Sequence, residues 1–167
     1  MAAALAAVIL WIAGCQMLAT DGPLMTGQDR TTSYGSWDVG SVLSFGSSKI
    51  RNPTDSPIRL VDVIADPPDG LVVKAIYVVD LTDVQETSGL ATGFPPPNQA
   101  GDTFTPVDGA TLRANTWYQV MFMVEVVKQG RWTMPSYDLV YETEGREYRA
   151  TAPHGLRVCS PQPTDCA

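Results

Sequence analysis

Alternation of apolar and polar side chains from Thr116 to Val127 constrains this chain more than any other stretch. Tyr118, Val120, Phe122, Val124 and Val126 form one unbroken apolar face; Trp117, Gln119, Met121, Met123, Glu125 and Val127 form the other. A period of two is the pleat of a strand, and it sets one face against a core. Leu71 to Leu81 repeats the pattern. Leu71, Val73, Ala75, Tyr77, Val79 and Leu81 are all apolar, opposite the mixed set Val72, Lys74, Ile76, Val78 and Asp80. So many β-branched residues suit a half-buried antiparallel strand better than a helix.

Turn-forming residues punctuate the rest. Extended segments are expected over 41–52, with a bulge or break at Gly46-Ser47-Ser48, and over 58–65. Asn52-Pro53-Thr54-Asp55-Ser56-Pro57 turns the chain between them, and Asp66-Pro67-Pro68-Asp69-Gly70 ends the second. Tyr137 to Thr143 and Glu147 to Ala152 read as a hairpin about Glu144-Gly145-Arg146, and Leu156 to Val158 as a last short strand. The 14 glycines and 13 prolines fit many short strands joined by turns. The expected fold is all-β: an antiparallel, immunoglobulin-like β-sandwich of about seven to nine strands over residues 38–158. The buried Cys…Trp…Cys pattern of antibody domains is absent from the sequence.

Residues 82–110 are weakly patterned, with a short strand expected near Thr103 to Val107. Phe94 precedes Pro95, Pro96 and Pro97, a stiff extended run that either presents Phe94 to solvent or pins it to the body. Long loops on a β scaffold often bind partners, so Phe94–Pro97 is a candidate binding loop. Trp117, Met121 and Met123 form a candidate docking patch if solvent reaches them. A layer over that face would leave the loop as the better candidate.

The amino terminus is of another kind. The apolar run Ala2 to Ala13 is about 12 residues long, short of the roughly 20 needed to span a bilayer but suited to a secretory leader. It closes on Ile12-Ala13-Gly14-Cys15. This tetrapeptide resembles the lipobox of bacterial lipoproteins. The resemblance implies a signal peptide over 1–14, cleavage before Cys15, and lipid attachment at Cys15 on the extracytoplasmic side of a membrane. It departs from the pattern in having no Lys or Arg before the apolar run. The alternative is an uncleaved anchor helix continuing through Gln16, Met17, Leu18 and Ala19. Gln16 to Trp37 reads as a flexible tether. Its 22 or so residues would span roughly 25 Å on average and no more than about 75 Å stretched.

Cys159 and Cys166 remain once Cys15 carries lipid. An oxidising compartment makes a disulfide between them the default, closing a tail over 159–167 and stabilising by about 2–3 kcal/mol in the chain-entropy model. Their spacing is not that of a CxxC redox centre, and His154 is the one other soft ligand close in sequence.

The net charge of −7 argues against nucleic acid and against adsorption to anionic lipid by charge. His154, the single histidine, sits in Pro-His-Gly and reads as a surface turn; no Gly-x-Ser-x-Gly elbow accompanies it. One histidine is too few for a blue-copper site. A Cu(I) site from Met121, Met123, Met134 and His154 competes with simple packing of those methionines. No phosphate loop, dinucleotide fingerprint or EF-hand loop occurs. The expectation is a lipid-anchored, non-enzymatic protein without cofactor or metal, binding a protein partner or serving as an accessory subunit of an envelope assembly. The rivals are a small-molecule or copper carrier and a hydrolase acting through His154.

Overall fold

A computed structural model describes residues 22–27, 30–86, 89–97, 104–162 and 165–166 of the chain. Its strands, in chain order, are β1 (Met25–Thr26), β2 (Thr32–Ser36), β3 (Val42–Asn52), β4 (Ile58–Ala65), β5 (Leu71–Asp80), β6 (Gly89–Thr92) and β7 (Phe104–Pro106). They continue with β8 (Thr111–Leu112), β9 (Thr116–Val126), β10 (Gly130–Met134), β11 (Tyr137–Thr143), β12 (Arg146–Ala152) and β13 (Gly155–Ser160). A six-stranded sheet runs β1-β3-β9-β5-β7, with β6 also paired to β3. A four-stranded sheet runs β12-β11-β4-β8, and a three-stranded sheet runs β10-β13-β2. The fold is all-β, an immunoglobulin-like sandwich of mainly antiparallel sheets. The described strands outnumber the seven to nine expected, because pieces of two to five residues are too short to show a period.

The apolar face of β9 lies where its alternation predicts. Tyr118, Val120, Phe122, Val124 and Val126 are buried in one core with Leu60 of β4, Leu139 and Tyr141 of β11, and Met134, Leu156 and Val158 of the third sheet. Phe122 stacks on Phe45 at 5.6 Å between ring centres and meets Tyr137 of the facing sheet edge-on at 4.9 Å. Each such ring contributes about 1.5–3 kcal/mol by leaving water.

Two bulges set which side chains share that core. In β3 the register against β9 shifts between Gly46 and Lys49, at the expected Gly46-Ser47-Ser48 break. Phe45 and Ile50, of opposite parity, both point inward as a result. In β5 the register shifts between Val73 and Ala75, and this corrects the alternation read over Leu71 to Leu81. Leu71 and Val73 lie opposite Val126 and Val124 on the core side. Beyond Lys74 the parity flips, so Ile76 and Val78 face the core opposite Phe122 and Val120. Tyr77 and Val79 are turned to the outer face, opposite Met121 and Gln119. Both parities of β5 are rich in apolar residues, so sequence alone concealed the flip.

The tether reading of Gln16 to Trp37 is also corrected from Gly22 onward. β1 pairs with β3, and β2 pairs in parallel with β13. Leu24 is only 6% exposed and belongs to the core, and its amide donates to the Tyr141 hydroxyl at 3.2 Å. These pieces join by backbone hydrogen bonds to sheet edges, which demand no side-chain period. The first part of that segment, with Cys15 and the leader, lies outside the described residues.

The β11–β12 hairpin is tighter than expected: Thr143 pairs with Arg146, leaving Glu144-Gly145 as a two-residue loop. Both have positive φ, 51° and 71°, as a type I′ turn requires. The expected tail at 159–167 is partly body, because Cys159 and Ser160 belong to β13. Cys159 and Cys166 are bonded, with Cα atoms 5.7 Å apart. Arg131 Nη2 and Arg157 Nη1 donate to the Asp165 and Cys166 carbonyls at 2.8 and 3.5 Å, holding the tail against the third sheet.

Candidate functional site

The outer face of the six-stranded sheet carries the predicted patch, and register decides what becomes of it. Met121 of β9 lies between Gly46 of β3 and Tyr77 of β5. Tyr77 stacks on Phe94 at 4.9 Å, and Phe104 closes the cluster at 5.9 Å from Tyr77 and 5.1 Å from Phe94. Under this aromatic cap Met121 is 0% exposed, and its neighbour Val79 is also buried. Met123, opposite Ala75 and Ser44, is partly buried. Trp117 alone of the three is well exposed, at 44%. The expected continuous patch of Trp117, Met121 and Met123 therefore does not exist; the rings of Tyr77, Phe94 and Phe104 cluster over its middle.

The same contacts decide the fate of Phe94. It is pinned to the body between Tyr77 and Phe104. Pro96 is buried, while Pro95 and Pro97 are exposed, and the loop beyond them at 98–103 lies outside the described residues. The triple proline thus lays the partly buried Phe94 ring onto the sheet and leaves Pro95 and Pro97 exposed.

Trp117 stands in different surroundings. Directly opposite it on β3 is Arg51, and opposite Arg51 on β1 is Met25. The Arg51 guanidinium lies over the Trp117 ring, 5.5 Å from its centre, and the Arg51 Nε is buried without a hydrogen-bond partner. Beside the ring is a shallow cavity of about 280 Å³ lined by Lys49, Leu81, Val84, Glu86 and Trp117. Lys49 and Glu86 form an ion pair across it at 2.9 Å.

His154 is not the surface turn residue its Pro-His-Gly setting suggests. Its Nε2 lies 3.1 Å from the Ser33 hydroxyl, and its ring meets Phe45 edge-on at 5.4 Å. Burial holds its pKa below the ordinary histidine value, with Glu86 pulling weakly the other way. Ser33 and His154 are a nucleophile type and a base type in contact, which sequence reasoning missed. They lie 121 residues apart, and a lone serine in a tether-like stretch gave no signal. Neither residue lines the cavities at Trp117, at Arg30–Pro153 or at Gly22–Tyr148.

The sulfur ligands weighed for copper are not gathered. Met134 sits inside the inter-sheet core, whereas Met121 is under the aromatic cap on the outer side of the six-stranded sheet. Among the described residues, no three His, Cys, Asp or Glu side chains cluster as a metal set, and no helix is long and apolar enough to cross a membrane.

No family model matches the chain, and no curated protein sequence matches it. Solved structures do resemble it at a distance. PapD-like domain 7 of human CEP192 matches at 9% identity and TM-score 0.39, covering 84% of this chain and 85% of that one. A non-cellulosomal cohesin from Archaeoglobus fulgidus matches at 11% identity and TM-score 0.32, covering 78% and 91%. The Vibrio cholerae VesB protease matches at 11% identity and TM-score 0.41, covering 78% of this chain and 30% of the protease. The chain thus spans under a third of the protease's length. Proteins so different in role leave the activity to be argued from this chain's own residues.

Proposed function

We propose that this chain is a membrane-anchored extracytoplasmic lipoprotein whose sandwich acts without catalysis, as a protein-binding or accessory subunit of an envelope assembly. The observation that carries the reading is Ile12-Ala13-Gly14-Cys15 at the close of the apolar run. The bonded Cys159–Cys166 pair supports it, since such bonds persist in oxidising compartments outside the cytoplasm. Leu24 already belongs to the core, so at most about 32 Å of chain separates Cys15 from the folded body. The sandwich would therefore work beside the bilayer.

Intact-mass measurement of protein extracted from membranes tests the anchor. The expected mass is that of residues 15–167 plus a diacylglyceryl group and a further acyl chain; a retained leader or a bare Cys15 thiol would refute it. Crosslinking in intact cells, read by mass spectrometry, tests the role, and recovery of no protein partner would count against it.

The Ser33–His154 contact favours a second reading, hydrolysis with Ser33 as nucleophile and His154 as base. It requires that a Ser33→Ala or His154→Ala variant lose all turnover of an ester substrate. Equal rates in the variants and the parent dismiss it.

A further inference from the structure

We propose that the row Met25–Arg51–Trp117 is the surface on which the body lies against the bilayer, a proposal that rests on the lipid anchor at Cys15. The geometry begins with register. Met25 faces Arg51, and Arg51 faces Trp117, across three adjacent strands. Their flanking residues Leu24, Ile50 and Tyr118 are in the core, so the row itself points outward. Met25 is 49% exposed and Trp117 44%, the two large apolar side chains of this row. Adjacent strands lie about 4.8 Å apart, so the row is about 10 Å wide between its ends.

Chain length selects this face. Met25 follows Cys15 by ten residues, which reach at most about 35 Å from the acyl chains. Met25 also lies on β1, at the end of the six-stranded sheet's strand order, so the chain enters the fold beside this face. The tether thus keeps the row near the headgroups at a high effective concentration, and a weak surface preference suffices to orient the body.

The chemistry of the row fits that depth. An indole carries a broad apolar face and one N–H, and it prefers the headgroup level of a bilayer. Methionine supplies flexible apolar contact. The Arg51 guanidinium lies over the indole, and its planar, permanently charged fork is of the type that pairs with a lipid phosphate. The net charge of −7 does not drive this docking; the acyl chains supply affinity, and the row supplies orientation.

The test uses the full lipidated protein reconstituted into phosphatidylcholine vesicles whose acyl chains carry bromine, a short-range quencher of tryptophan. Wild-type emission should be quenched, and Trp117→Phe should lose at least half of that quenching. Met25→Glu should reduce it about twofold with the fold intact by circular dichroism. Protein that co-floats with the vesicles but shows no Trp117 quenching overturns the docking face and leaves the anchor standing. Protein that fails to float and shows an unmodified Cys15 by mass overturns the anchor, and the docking face with it.

Discussion

Burial holds the His154 imidazole neutral to lower pH than a free histidine, because the charged form would lose hydration against the Phe45 ring. The sign of the consequence is fixed. The unfolded chain binds the proton more readily, so this contribution is fully present above the ordinary histidine pKa of about 6.5 and is lost as pH falls below it. Thermal midpoints measured from pH 7 to pH 5 should decline in the parent and decline less in His154→Gln, which keeps a polar partner for Ser33 but does not titrate there. Asp80 and Asp138 act in a lower window. Burial pushes both carboxyls up, but hydrogen bonds from Thr82 and Arg113 to the first, and from Thr151 and Arg149 to the second, outweigh it. Their contributions are present above about pH 4 and lost below it, outside the range that reports on His154. Sequence allowed little of this residue-scale detail. Asn52 was legible as a turn residue. That it is fully buried, donating to the Ser56 and Leu112 carbonyls at 2.8 and 3.0 Å, depends on a strand 60 residues away.

Strands whose two faces differ in polarity were legible, and strands whose faces are both apolar were not. β9 keeps its period without interruption, so its core face was read correctly from end to end. β5 carries apolar residues on both parities, so one bulge residue, Lys74, moved Tyr77 and Val79 to the outer face without leaving a polar residue in the core. That flip builds the cap over Met121, and the cap removed the predicted patch. Phe94 is its middle ring. Phe94→Ala removes two aromatic pairs worth about 0.5–1.5 kcal/mol each besides the buried area of the ring. The variant should be less stable than the parent by about 2–3 kcal/mol in urea titrations with an unchanged slope. Under dilute peroxide, Met121 should oxidise slowly in the parent, after the exposed Met25, and much faster in the variant. Equal Met121 oxidation rates would mean that the ring does not seal the face.

On the proposed lipid anchor at Cys15, the extent of the folded body decides how the sandwich would sit at a membrane. A tether running to Trp37 would let the domain wander several tens of ångströms from Cys15. A body that already includes Leu24 cannot, and its orientation then becomes a property of the fold. The difference rests on Leu24, whose side chain joins the core shared by all three sheets and whose amide holds Tyr141. Leu24→Ala leaves a cavity under β1 and should cost about 2–4 kcal/mol, as at a core leucine. Met25→Ala, one residue along and pointing outward, should change stability by less than about 0.5 kcal/mol. Chemical denaturation of the two variants side by side separates the cases. A free tether predicts that both are silent, whereas a strand added to the sheet predicts that the cost falls on position 24 alone. The alternation of cost along two adjacent residues is the signature of a pleat, and it would fix the start of the body ahead of β1.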